Sequence, residues 1–409
     1  MDRTCSEKTQ VADLALFGGP TLFEDLLHVG CPNIGDRRKF FELVDDMFDR
    51  RWLTNNGPFV KEFEERLANI VGTKHCIAVC NATIGLELAV RAVGMTGEVI
   101  VPSFTFIASA HVLEWQGIKP VFCDIDPETH NIDPNRIEEL ITPRTTGIVG
   151  VHVWGRPCEI EALEMISSKY DLKLVFDAAH AFGCSYQGKP IGGFGDAEVF
   201  SFHATKFFNT FEGGMIATND DDLAKKLRMM KNFGFSGKDT VLSIGINGKM
   251  SEISAAMGIV GLESLEEFVS INQRNYHAYK KIFSKLPGIK LITYDENESQ
   301  NYQYIIMEID DDTAGINRDL IVDILTAENI LARRYFFPGC HEMEPYRSSY
   351  SDYETFLPET EKLTQSVMSL PNGTSISIND VERMGQLLRF VLENSNEIRE
   401  KHASIKTNQ

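Results

Sequence analysis

One amine stands among aromatic rings in the stretch EVFSFHATKFFNTFEGG (198–214), where Lys206 has Phe200, Phe202, Phe207, Phe208 and Phe211 as sequence neighbours. Phenylalanine is a residue that folded chains bury. A lysine buried with it loses its proton more readily, until it is neutral and nucleophilic. Further upstream, LVFDAAHAFG (174–183) drives an apolar run into Asp177. Only one more strand-like run, AEVFSFHA (197–204), separates the carboxylate from the amine. Taken alone, Asp177 could equally cap the helix that follows it. Adjacent strand ends, however, would bring Asp177 and Lys206 to one crevice, and that pairing points to chemistry.

Pyridoxal phosphate needs both groups at such a separation. Its aldehyde takes an amine, and its pyridine nitrogen takes a carboxylate that keeps the ring protonated and electron-withdrawing. It also needs a cup for its phosphate. CNATIGLEL (80–88) reads as a strand-to-helix turn, with the backbone N–H groups of Ala82 and Thr83 and the Thr83 hydroxyl at a helix N-terminus. Ser201 could add a second hydroxyl. Phe106 in PSFTFIAS (102–109) could cover one face of the ring, and His180 in DAAHA the other face or its phenolic oxygen. Each signal has a bland counterpart when isolated: an ordinary N-cap for NAT, a strand serine for Ser201, core packing for Phe106, a structural histidine for His180. The glycine pair in FEGGMIA (211–217) suggests a turn passing close to something bulky. The sequence holds no G-x-x-x-x-G-K-[ST], H-E-x-x-H or G-x-S-x-G motif, and GGFGDAEVF (192–200) lacks the strand-to-helix dinucleotide pattern.

The elements that must position these residues alternate. HCIAVCN (75–81), GEVIVPS (97–103), KPVFCDID (119–126), TTGIVGVHVWG (145–155), LKLVFDAAHAFG (172–183), AEVFSFHA and GGMIATND (213–220) read as strands. ATIGLELAVRAV (82–93), TFIASAHVLEWQG (105–117) and PCEIEALEMISSKYD (157–171) read as helices between them. Nearly continuous apolar strands separated by helices predict an α/β fold with a mostly parallel sheet covered on both faces, its ligand at the carboxyl ends of the strands. From about residue 262 the texture changes to a long helix over 263–286, a strand at 302–310 and helices at 318–330 and 379–398. We expect a large domain over 1–262, including an N-terminal segment 1–60, and a smaller α+β domain over 263–409, with the tail from 399 frayed.

The chain has 409 residues, 40 Lys plus Arg against 59 Asp plus Glu, and a net charge of −19. That balance argues against nucleic acid as a partner and leaves any anionic ligand to local donors. No apolar run is long enough for a membrane span, and the N-terminus lacks a signal-peptide pattern. The eight cysteines are scattered without C-x-x-C spacing, as expected of free thiols in a cytoplasmic protein rather than a disulfide framework or metal site.

In order and spacing, DAAHA, SFHATK and EGGM resemble the DegT/StrS family of nucleotide-sugar aminotransferases, over nearly the whole chain from Trp52 to the final helix. The resemblance implies the aspartate-aminotransferase fold (fold type I of the pyridoxal-phosphate transferases), with a mostly parallel seven-stranded sheet. LALFGGP (14–20), GVHVWGRPCE (150–159), NFGF (232–235) and YFFPGCHEMEPYR (335–347) are similar to the subgroup acting on dTDP-4-keto-6-deoxyglucose in pathways of the desosamine type. By position, the resemblance makes Lys206 the Schiff-base lysine and Asp177 the partner of the pyridine nitrogen. It sets His180 beside the ring, Phe106 stacked on it, and Ala82, Thr83 and Ser201 on the phosphate. Asn247 in GINGKMSE matches a position that completes the phosphate site of the neighbouring subunit, which implies a homodimer with shared active sites. Asn81 departs from the Ser or Gly of many relatives. One group of the family carries histidine at the lysine position and deoxygenates its substrate; the presence of Lys206 favours transamination. The implied reaction takes the amino group from L-glutamate, carries it on pyridoxamine phosphate, and gives it to a nucleotide-linked keto sugar. Lys249, Arg333 and Arg334, with Tyr335 and His341, are the candidates for the sugar-nucleotide site. A 3-keto-sugar aminotransferase and a non-catalytic sensor of pyridoxal phosphate or amino sugars are the alternatives.

Overall fold

The computed structural model describes residues 8–349 and 356–407. The seven apolar runs form one sheet: β1 (His75–Val79), β2 (Glu98–Pro102), β3 (Lys119–Cys123), β4 (Thr145–Val151), β5 (Lys173–Asp177), β6 (Ala197–Ser201) and β7 (Gly214–Thr218). Their order is β1-β7-β6-β5-β4-β2-β3, and β7 alone runs antiparallel to its neighbours. Both faces are covered, which is why these strands read as continuous apolar runs instead of alternating ones. Ile77, Val99, Val175 and Val199 pack beneath helix α1 (Ala82–Val93), while Ile100, Ile148, Phe176 and Phe200 pack on the opposite side. The carboxyl ends of β4, β5 and β6 open on one edge, with Asp177 paired to Val199 two residues before β6 ends.

A second core is built around an antiparallel sheet of β8 (Ile289–Leu291), β9 (Ile305–Ile309) and β10 (Val367–Leu370), ordered β8-β9-β10. The expected boundary near 262 is only part of the division. Val11, Leu14, Leu22, Phe23 and Leu27 belong to the second core, not the first. Leu27–His28 pairs in parallel with Ile330–Leu331, and the buried Glu328 carboxylate accepts the N–H groups of Ala15 at 2.8 Å and Leu22 at 2.6 Å. In the other direction, Cys340 and Tyr346 return to the first core. The apolar pattern of a short segment tells that it is buried, but not against which sheet.

The expected helix at 263–286 runs Leu265–Phe283, set off from Glu252–Glu263 at Ser264. The expected helix at 379–398 is two helices, Ile378–Glu393 and Ser395–Thr407, broken at Asn394. The tail is therefore helical to Thr407 rather than frayed. Ile398 is fully buried in the second core, and the Lys401 ammonium lies 4.7 Å from the centre of the Phe17 ring. Helices Arg37–Arg50 and Pro58–Val71 precede the first strand of the large sheet. The seven described cysteines are free, and Cys5 lies outside the described residues. Among the described residues no helix is long and apolar enough to cross a membrane, and no cluster of His, Cys, Asp and Glu could hold a metal ion.

Candidate active site

Between the two cores lies a cavity of about 510 Å³, within the size range of small-molecule sites. Asp177, the last residue of β5, lies in its floor, and Lys206 rises beside it. Lys206 stands not on the strand end itself but on the turn after β6, where its N–H bonds the His203 carbonyl at 2.9 Å. Of the five phenylalanines near it, Phe200, Phe202, Phe207 and Phe208 are buried as expected, whereas Phe211 is 45% exposed. Burial lowers the Lys206 ammonium to about 8, and the Asp177 carboxylate opposes that shift. The apolar surroundings thus bring the amine close to neutrality rather than all the way there. Its Nζ donates to the Tyr304 hydroxyl at 3.1 Å.

Asp177 is buried, and burial raises its pKa against the opposing pull of Ser109, Ala179, Lys206 and His152. Ser109 Oγ donates to Oδ2 at 2.7 Å and the Ala179 N–H to Oδ1 at 3.1 Å. A cationic pyridine nitrogen is the kind of partner that offsets the cost of such a buried carboxylate. His180 is also buried, which holds its pKa well below the usual histidine range. Its ring centre lies 4.4 Å from that of Tyr304.

Helix α1 starts at the cavity. Asn81 caps it by accepting the Ile84 N–H at 2.9 Å, which gives the residue that departs from the common family pattern a definite role. The first-turn N–H groups of Ala82 and Thr83 have no intrahelical acceptor and both residues line the cavity, so they form an anion cradle at the positive end of the helix. Ser201 lines the same wall. The crowding signalled by the paired glycines is internal: a Cβ on Gly214 would come within 2.9 Å of the Ala82 nitrogen, so β7 can pass the cradle only without a side chain. Phe106 lines the cavity and is 58% exposed, a free aromatic face at its edge. Amine, buried carboxylate, anion cradle and aromatic face together fit pyridoxal phosphate.

Arg333 and Tyr335 reach the cavity from the second core's side. The other candidates for the sugar-nucleotide site do not line it. His341 is tied to Ser103 Oγ through Nδ1 at 2.7 Å, Arg334 bonds Asp319 at 3.0 Å, and Lys249 bonds Asn232 at 3.0 Å. Asn247 is exposed on the segment paired with Asn232, away from this chain's own cavity. Sequence reasoning missed Ser109, Tyr304, Phe336 and Glu212, all at the site. Ser109 could have been found one helical turn beyond Phe106; Tyr304 precedes a strand of the other core and carries no local signal.

Residues 35–389 match the DegT/DnrJ/EryC1/StrS aminotransferase family. The dTDP-4-amino-4,6-dideoxy-D-glucose transaminase of Escherichia coli is 36% identical over 360 residues, 87% of this chain and 96% of that protein. The crystal structure of DesI in the presence of its TDP-sugar product superposes with a TM-score of 0.93 at 48% identity, over 96% of this chain and 100% of that one. NtdA from Bacillus subtilis, with bound pyridoxamine phosphate, superposes with a TM-score of 0.80 at 25% identity, over 87% of this chain and 82% of that one. The chain thus belongs to the DegT/DnrJ/EryC1/StrS aminotransferase family, whose cofactor is pyridoxal phosphate.

Proposed function

We propose that this protein transfers the amino group of L-glutamate to dTDP-4-keto-6-deoxy-D-glucose, giving the 4-amino-4,6-dideoxy sugar nucleotide and 2-oxoglutarate in the cytoplasm. The observation that carries this reading is the meeting of Lys206 and Asp177 in one cavity with a helix N-terminus beside them. The likeness to a dTDP-sugar transaminase and to DesI supports the choice of sugar.

Bound here, pyridoxal phosphate supplies an electron-withdrawing ring that stabilises negative charge on the substrate carbon. Asp177 would hold the ring nitrogen, with Ser109 and the Ala179 N–H fixing the carboxylate's orientation. Ala82, Thr83 and Ser201 would hold the phosphate, and Phe106 and His180, which line the same cavity, would border the ring. Lys206 Nζ, with a pKa of about 8 in the protein alone, is poised as the base that accepts the proton leaving Cα of glutamate. In the second half the same amine delivers a proton to C4 of the sugar. Arg333, with Tyr335 beside it, is the cationic group placed for the substrate's anionic end.

A second copy completes the site in this reading. Ile34, Phe41 and Phe211 line an apolar hollow and are 60%, 55% and 45% exposed. The segment leading to Asn247 exposes Phe233, Leu242 and Ile244. Such apolar patches suit a homodimer in which Asn247 reaches the partner's phosphate. The experiment is spectroscopic: purified protein should be yellow, bleach with L-glutamate and recolour with dTDP-4-keto-6-deoxy-D-glucose. Colour that persists with every amino donor would defeat the proposal, and recolouring by 3-keto but not 4-keto sugars would reassign the substrate.

A further inference from the structure

We infer that Glu308 and His130 are positioning residues for His180, acting through Trp154, and that together they hold His180 as the Nε2–H tautomer with its donor left to the cavity. Two of the groups involved, the peptide and indole N–H of Trp154, can only donate. The backbone N–H of Trp154 lies 3.1 Å from His180 Nδ1, so that nitrogen must accept, and the proton of the neutral ring resides on Nε2. The indole N–H of Trp154 lies 3.1 Å from His130 Nδ1, so His130 too carries its proton on Nε2. That Nε2 lies 3.2 Å from Glu308 Oε1, a carboxylate on β9 of the second core. Donation therefore runs outward from Trp154 in two directions, through its peptide N–H to His180 at the cavity wall and through its indole to His130 and on to Glu308 of the second core.

Two further observations mark this as a built arrangement. His130 and Trp154 both have left-handed backbones, at φ 64 in each case, although bulky residues avoid that region. Both side chains are fully buried, and the Trp154 ring stacks on Phe336 with centroids 5.2 Å apart and a 4° interplanar angle. Backbone strain of this kind persists only where surrounding contacts impose it. Here the left-handed turn at Trp154 aims its N–H at His180 while its indole is anchored on His130. His180 contributes to the site what a freely rotating histidine would not, one N–H of fixed direction beside the ring position.

The use of that donor rests on the pyridoxal-phosphate reading, but the tautomer itself does not. The two are separable because the tautomer can be read without cofactor. The full chain, labelled with 15N-histidine and prepared free of pyridoxal phosphate, should show His180 as a single Nε2–H tautomer by two-bond 15N–1H correlation. Trp154→Phe keeps the backbone N–H that faces His180 but cuts the indole's anchor on His130, so that N–H loses its fixed aim and the His180 tautomer ratio should move toward Nδ1–H by up to roughly ten-fold, the worth of one buried hydrogen bond. If Trp154→Phe does not fold, Glu308→Leu cuts the far end of the chain and should move the same ratio in the same direction. A His180 that carries its proton on Nδ1 in the unmodified chain would overturn the inference. So would a folded Trp154→Phe or Glu308→Leu variant whose His180 signals are unchanged.

Discussion

The floor of the cavity and its roof are made by different parts of the chain and follow different rules. The floor is the carboxyl edge of the parallel sheet. Asp177 ends β5, Ser201 ends β6, and Lys206 follows by one turn, so their meeting is fixed by strand pairing that the apolar pattern already implies. The roof comes from the second core. Tyr304 stands just before β9, and Tyr335 and Phe336 lie on a connection far along the chain; they meet the floor only because two cores dock. The floor carries the amine and the carboxylate, and the roof carries Tyr304, Tyr335 and Phe336 around them with Arg333 as its one cation at the cavity. Mutations in the two regions should therefore fail in different ways.

Lys206→Ala attacks the floor at its centre. It should lower turnover with L-glutamate by more than ~10⁴-fold, since both the covalent anchor and the acid–base group are lost, as single-turnover bleaching would measure. Asp177→Asn should cost about 10²–10³-fold in kcat through loss of a buried charge at the ring nitrogen, and retention of the fold by circular dichroism would separate that from collapse.

The third test sharpens the comparison through pH. In cofactor-free protein, amine-directed labelling of Lys206, followed by peptide mass, should rise through a midpoint near 8 rather than the ordinary 10.5. Because Asp177 raises the Lys206 pKa, Asp177→Asn should move that midpoint lower still. The sign also applies to stability. Between about 8 and 10.5 the unfolded chain holds a proton on Lys206 that the folded chain lacks, so this group makes the cofactor-free protein more stable as pH rises through that window. The smallest effect belongs to the roof: Tyr304→Phe removes the hydroxyl that accepts from Nζ and should lower kcat by about ten-fold, with little change in cofactor retention. A Tyr304→Phe loss as deep as that of Asp177→Asn would erase the distinction between floor and roof.

The same division explains what could be read from the amino acids alone. Helix α1 begins and ends where the pattern 82–93 places it, because an N-cap, an apolar face and Gly94 in a left-handed turn are all local signals. Asp177 and Lys206 are legible because a carboxylate ending a buried strand and an amine just beyond one, among phenylalanines, are unusual types for such places. Tyr304 looks like any strand-edge tyrosine until the second core is docked. Lys249 and His341 show the converse: both are polar residues of suggestive type, but packing turns His341 toward Ser103 and Lys249 toward Asn232. Trp154 lies in the family-like stretch GVHVWGRPCE, yet its left-handed backbone is a property of the contacts around it and leaves no mark in composition.

Because Val11 to Leu27 find their apolar partners beside residues such as Ile321, Ile330 and Leu388, this segment has nowhere to settle until residues about 300 positions later have been synthesised. The sheet of the first core can close while translation is still under way, whereas the opening residues must wait, with Leu22 and Phe23 exposed, until the segment carrying Glu328 emerges. Shortening the amino terminus should therefore weaken the carboxyl-terminal half of the molecule, the part farthest from it in sequence.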